Sequence, residues 1–158
     1  MANKIEIYTD GSSRGNPGPG GYGILMRFGS HQKTFSKGFR LTTNNRMELW
    51  AVIHALELIQ DKKHPVHIFS DSKYVIEAIE KKWVWTWNSK GFKGKKNSDL
   101  WMKYLALHPQ FDLTFHWVKG HAGHIENEHC DMLAVNAATS SDLAIDEGYE
   151  KSLNSGLF

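Results

Sequence analysis

The chain has 158 residues, of which 41% are hydrophobic and 23% charged, and a formal net charge of +2. That length gives one domain with a real core, and that balance is of an ordinary globule rather than a disordered or membrane-spanning chain. No apolar stretch approaches a bilayer span, and Met1 to Ile5 lead straight into a strand rather than a signal peptide, so cytoplasm is the expected compartment. Cys130 is the single cysteine, which excludes an intrachain disulfide and fits a reducing environment.

The charge is unevenly spread. Lys81, Lys82, Lys90, Lys93, Lys95 and Lys96 fall in a segment without acids, a local +6 within a net +2, so the remainder carries −4. A mildly acidic body with one basic projection suggests a localised polyanion contact. Trp83, Trp85, Trp87 and Phe92 punctuate the run. A lysine run alone is often a solvated face, but interleaved aromatics favour backbone tracking with sugar or base stacking.

Alternation of Ile5, Ile7 and Thr9 with Glu6, Tyr8 and Asp10 predicts a first strand ending at Asp10. Asn16 to Gly21 reads as a loop, Tyr22 to Phe28 as a second strand, and Lys33 to Leu41 as a third, joined as an antiparallel meander. Glu48, Val52, Ala55 and Ile59 recur at helical spacing, and Pro65 ends that helix. A fourth strand is expected from Val66 to Asp71, then a helix to Glu80 with Ser72 as N-cap. A helix from about Asp99 to His108, a strand from Phe111 to Val118 and a helix from Glu126 to Ser140 follow. The tail from Ser141 is polar and expected to be irregular. This order implies a single domain over 1–158, with a core of about 4–140, built on a mixed five-stranded α/β sheet whose later strands are parallel.

Four acids bear on chemistry. Asp10 and Asp71 each close a strand, where α/β sheets bind ligands, although either alone could be a turn cap. Glu48 shares the inward face of its helix with Val52 and Ala55, so its carboxylate needs a cation or donors. Its structural rival is a capping box with Asn45. Asp131 lies on a late helix whose Ala134 and Ala138 permit close approach to the sheet. Hard oxygen ligands converging from separate elements suit Mg²⁺ or Mn²⁺. His121, His124, His129 and Cys130 match no standard zinc spacing, and Gly18 to Gly23 opens a strand rather than the helix a dinucleotide loop requires. His121 sits on a glycine-flanked loop suited to proton transfer.

The segments Tyr8-Thr9-Asp10-Gly11-Ser12, Gly15 to Gly23, Thr42-Thr43-Asn44-Asn45-Arg46-Met47-Glu48-Leu49, Ser70-Asp71-Ser72, Asn97-Ser98-Asp99-Leu100-Trp101 and Trp117 to His124 occur in that order, followed by Glu126-Asn127-Glu128 and Cys130-Asp131. Together they closely resemble type-one ribonuclease H in its bacterial single-domain form, from about residue 4 to 140. A weaker echo lies at Asp146-Glu147-Gly148-Tyr149. The resemblance implies a ribonuclease H-like sheet flanked by helices on both faces. It implies that Asp10, Glu48, Asp71 and Asp131 are catalytic carboxylates holding two Mg²⁺ ions, with Mn²⁺ as a substitute, and that His121 is a mobile histidine assisting proton transfer or product departure. The implied reaction is endonucleolytic hydrolysis of the RNA strand of an RNA–DNA hybrid, leaving 5′-phosphate and 3′-hydroxyl ends, by a monomer without an obligate protein partner.

Implied substrate contacts are Asn16, Asn44 and Asn45 at bases and ribose, Thr43 and Asn97 at a DNA phosphate, and a protruding handle with Trp83, Trp87, Lys90, Phe92 and Lys93. Ser13 stands where the family commonly has Cys, and Lys73 where it commonly has Gln; the lysine charge suits a phosphate. A hybrid-binding module without catalysis would lose one or more acids, and all four are present with His121. A DNA-directed nuclease of the same fold, such as an integrase or resolvase, would lack the asparagine set and the handle.

Overall fold

The computed structural model describes residues 3–120 and 124–154. Strands β1 (Ile5–Ser13), β2 (Gly18–Phe28), β3 (His31–Thr42), β4 (Pro65–Ser70) and β5 (Asp112–Trp117) form one sheet in the order β3-β2-β1-β4-β5. The first three pair antiparallel, and β1–β4 and β4–β5 pair parallel, as the strand–helix alternation predicts. β1 is therefore central, and chain order reverses between it and β4. Such a switch point is where open α/β sheets bind ligands.

The helices are α1 (Asn44–Leu58), α2 (Lys73–Glu80), α3 (Trp83–Ser89), α4 (Ser98–Leu107), α5 (Ile125–Ala138) and α6 (Glu147–Asn154). α1 packs on β1 and β2 and against α4, while α5 lies across β1, β2 and β3. Strand alternation separates the two cores. Ile7, Ile24 and Ile68 join Leu49, Val52, Ile53 and Leu56 of α1 in the larger one. Tyr8 and Leu25 meet Cys130 of α5 in the smaller.

The helices approach the sheet to backbone distance. A methyl on Gly23 would lie 2.4 Å from the Cys130 carbonyl oxygen, and one on Gly11 would lie 2.5 Å from the Glu48 nitrogen. Buried Ala134, Ala137 and Ala138 continue the small face of α5 over β2, as the alanine stripe leads one to expect.

β3, β4, β5, α2, α4 and α5 fall within two residues of their expected bounds, and Ser72 caps α2 by accepting from the Val75 amide at 3.2 Å. Four readings are corrected. β1 continues past Asp10 to Ser13 because Asp10, Gly11, Ser12 and Ser13 pair with Gly23, Tyr22, Gly21 and Gly20. The same pairing draws the Pro-Gly segment from Gly18 into β2 instead of a loop. The N-cap of α1 is Thr43, whose Oγ1 accepts from the Arg46 amide at 3.3 Å, so Glu48 lies beyond reach of a capping box with Asn45. The tail is ordered by a partner distant in sequence.

That partner is Arg46, a nearly fully buried guanidinium whose Nε and Nη2 each donate to the Asp146 carboxylate at 2.8 Å. Thr42 Oγ1 donates to the same carboxylate at 2.7 Å, and Asp99 accepts two further Arg46 hydrogen bonds at 2.8 and 2.9 Å. Burial alone would raise the Asp99 pKa, but the Arg46 hydrogen bonds and charge hold it below the usual range. Ala144 adds a bridge to Phe39, and Asp146 Oδ1 accepts from the Tyr149 amide in the first turn of α6. One cation thus ties β3, α1, α4 and α6 together. Asp146→Ala leaves Arg46 with one carboxylate partner and should lower unfolding free energy by about 3 kcal/mol in denaturant titration. A loss below about 1 kcal/mol, the size of an exposed pair, would show that the tail is fastened by something else.

Candidate active site

Parallel register sets Tyr8 beside Phe69, and two residues on Asp10 and Asp71 stand where β4 has just ended. α1 brings Glu48 in over Gly11, where the missing side chain lets its first turns lie directly on β1. One oxygen each from Asp10, Glu48 and Asp71 fall within 4.8 Å of one another, the sole such acidic group among the described residues able to hold a metal ion. Asp131 of α5 adds its negative charge to the surroundings of Asp10 and lies outside that trio.

These groups are crowded and dry. Asp10 is 3% exposed and Glu48 6%. Burial, then the Asp71 charge and the contact with Asp131, push the Asp10 pKa up to about 8. Burial and the charges of Asp10 and Asp71 raise Glu48 well above the carboxylate range. The Gly11 amide donates to Asp10 Oδ1 at 3.0 Å and opposes the shift without cancelling it. Asp10 Oδ2 and Glu48 Oε1 remain buried without a hydrogen-bond partner. Uncompensated buried carboxylate oxygens that repel one another fit a divalent cation and little else.

Polar and basic residues lie on two sides of the acids. Asn16, Thr43, Asn45 and Asn97 line a cavity of about 600 Å³ together with Lys95 and Lys96. Asn16 Oδ1 accepts from the Asn44 amide at 3.1 Å, tying the β1–β2 loop to the start of α1. Asn97 is oriented by Tyr74, whose hydroxyl accepts from its Nδ2 at 3.1 Å and from Trp101 Nε1 at 2.9 Å. Thr43, the N-cap of α1, stands five residues before Glu48, about 7.5 Å along the helix axis. On the other side Lys73 lies over the Trp117 ring at 4.9 Å, and Trp117 Nε1 donates to the Asp71 carbonyl at 3.3 Å.

The basic segment is a short helix, α3, followed by a turn. Trp83 is 42% exposed, with its ring 6.4 Å from Trp87, which in turn meets Trp101 of the core edge-on. Lys90 and Lys93 are exposed. Phe92 differs from its neighbours: it is buried in the main core, which leaves its ring no open face. His121 lies outside the described residues. Sequence reading missed Arg46, Asp99 and Asp146 as the frame behind the cavity. Their joint presence in the quoted motifs and in the tail echo was the available signal.

The raised Asp10 pKa has a consequence for the metal-free protein. A carboxyl that is harder to ionise when folded contributes stability below its unfolded pKa, near 4, and loses it as pH rises toward 8. Asp10→Asn removes that loss. In EDTA the variant should match the parent near pH 4 and become progressively more stable than it up to pH 8. A difference independent of pH would show that Asp10 ionises freely.

The geometry can now be set beside known proteins. A family model described as RNase H matches residues 2–139. The ribonuclease H of Rippkaea orientalis is 50% identical over 152 residues, covering 93% of both chains. That of Erwinia tasmaniensis is 51% identical, covering 94% of this chain and 97% of that one. Among solved structures, LC9-RNase H1, a type 1 RNase H with the type 2 active-site motif, superposes with a TM-score of 0.77 at 32% identity, over 96% of this chain and 81% of that one. LC11-RNase H1 in complex with an RNA/DNA hybrid shares the fold, with a TM-score of 0.62 at 24% identity over 85% and 96% of the two chains. With its central acidic trio and mixed sheet, the chain belongs to the ribonuclease H family.

Proposed function

We propose that this protein hydrolyses the RNA strand of RNA–DNA hybrids at the carboxylate cluster, leaving 5′-phosphate and 3′-hydroxyl ends. The observation that carries the reading is the convergence of Asp10, Glu48 and Asp71, with one buried oxygen each of Asp10 and Glu48 lacking a hydrogen-bond partner, in a chain of this family. Those three residues, with Asp131, would hold two Mg²⁺ ions, or Mn²⁺ in their place. The chemistry that such ions supply when bound is activation of the attacking water and charge stabilisation at the leaving oxygen.

The chain's own residues do the rest. Gly11 N–H and the close packing of α1 and α5 hold the carboxylates in place despite their repulsion. Asn16, Asn44 and Asn45 carry amides that both donate and accept, which suits base edges and the ribose 2′-hydroxyl that distinguishes RNA from DNA. Thr43 and Asn97 face a cavity suited to a phosphate of the DNA strand. Lys73, steadied on Trp117 beside Asp71, carries charge toward the cleaved strand. Trp83, Trp87, Lys90 and Lys93 present stacking faces and charge away from the acids. His121 would move a proton or assist departure of the product. We infer that the enzyme works as a cytoplasmic monomer; Cys130 is free, buried, and pushed up to about 12 by that burial, a thiol kept from reaction. Among the described residues no helix is long and apolar enough to cross a membrane.

Labelled hybrid, double-stranded DNA and double-stranded RNA incubated with the protein in Mg²⁺ test the reading directly. Only the RNA strand of the hybrid should be cut, and efficient cutting of pure DNA duplex would reassign the chemistry. Asp10→Asn should abolish cleavage, whereas His121→Ala should slow turnover far less, because water can replace a proton shuttle but not a metal ligand. Equal losses would move His121 among the indispensable groups. Replacing Lys90, Lys93, Lys95 and Lys96 together by Ala should raise KM, leave kcat nearly unchanged and flatten the salt dependence by about 0.7–0.9 log units per lost phosphate contact. Retention of both KM and salt slope would make the lysines a solvated face.

A further inference from the structure

The cavity that Thr43 and Asn97 share has a wall that belongs to neither the motif set nor the basic segment. Gly148, Tyr149, Ser152 and Leu153, all on α6, close it from the side of the tail. About 600 Å³ is the volume of a pocket for a small organic molecule, more than one phosphate group fills. The space along α6 therefore has room for a group beyond a phosphate at Thr43.

The wall is fixed in place by the deepest ion pair described. Asp146 is 1% exposed in its side chain, takes two hydrogen bonds from Arg46 and one from Thr42, and accepts from the Tyr149 amide at the start of α6. Gly148 makes the fit possible, since a methyl there would meet Asp99 Oδ2 at 2.0 Å. Arg46 reports on both sides of the arrangement. Its Nη1 donates to Asn97 Oδ1 at 3.4 Å, and its guanidinium lies 5.9 Å from the Tyr149 ring. With two carboxylates on it, Arg46 has no charge to spare for a ligand. The cations left to the cavity are Lys95 and Lys96. Tyr149 and the half-exposed Leu153 offer apolar faces, and Ser152 a hydroxyl. Apolar surface with a hydroxyl and lysines close by is the chemistry of a sugar–phosphate backbone.

We propose that α6 is part of the substrate-binding surface: Tyr149, Ser152 and Leu153 contact the sugar and the next phosphate of the uncleaved DNA strand, adjoining the phosphate held by Thr43 and Asn97. The proposal rests on the reading of this cavity as a phosphate site. It gives the Arg46–Asp146 pair a purpose beyond stability, that of holding the tail against the cavity at the start of α1.

Charge placed at position 152 tests it at a distance from the buried pair, because Ser152 is exposed on α6 and its hydroxyl donates to the Tyr149 carbonyl. The measurement is the dissociation constant of a fluorescein-labelled RNA–DNA hybrid in EDTA over a range of KCl, by anisotropy. Ser152→Lys should tighten binding about threefold and steepen the salt slope by about 0.7–0.9, and Ser152→Glu should weaken binding about threefold. Both should leave the melting temperature unchanged. Asn16→Asp runs alongside as a probe of the cavity itself, since it keeps the oxygen that accepts from Asn44 and adds a negative charge. If Asn16→Asp weakens binding while both Ser152 variants leave it unaltered, α6 does not touch the substrate and the proposal falls alone. If Asn16→Asp is also without effect, the phosphate reading of the cavity falls and the proposal with it.

Discussion

β1 is held between two helices at backbone contact, and the rest of the site depends on that closeness. At Gly11 the first turns of α1 rest on the strand, and at Gly23 on the neighbouring β2 the α5 backbone does the same. Side chains on helices normally stand off a sheet by the width of the residues between them. Here the spacers are absent, so carboxyls from α1 and α5 both reach Asp10, and Asp71 joins them from the end of β4. A larger residue at either glycine would open the gap and disperse the cluster.

Closeness has an electrostatic cost. Burial and mutual repulsion keep protons on groups that would ionise freely at the surface, and two carboxylate oxygens remain without donors. A cluster of this kind is tolerated because stabilisation comes from elsewhere in the molecule. Much of it lies about half a turn away, where Arg46, on the same helix as Glu48, is fully paired with Asp146 and Asp99. α1 thus carries an under-compensated charge pointing at one neighbour and an over-compensated one pointing at another. The helix that positions the reactive end is anchored by its own second residue cluster.

Much of this was legible in the sequence. Alternation placed the strands, the alanine stripe announced the close approach of α5, and the inward face of α1 flagged Glu48 as a carboxylate needing a cation. Local patterns speak through neighbours in sequence, and where the structure depends on distant partners they are silent. Asp146 looks like one polar residue in a polar tail until Arg46, a hundred positions earlier, is brought against it. Phe92 looks like part of an aromatic binding run, yet the turn that carries it folds its ring into the core. β1 looks finished at Asp10 because Gly and Ser follow, but its glycine-rich partner strand has the backbone groups to extend the ladder.

The central claim is that the acids are crowded enough to hold protons at neutral pH and surrender them to a divalent cation. Calorimetric titration of the metal-free protein with Mg²⁺ at pH 7, in buffers of different ionisation enthalpy, measures that exchange. With the Asp10 pKa pushed up to about 8 and Glu48 raised well above the carboxylate range, binding should release about one proton or more, and the apparent heat should change with the buffer accordingly. Heats that do not depend on the buffer would mean that the carboxylates are already ionised, and would contradict the account.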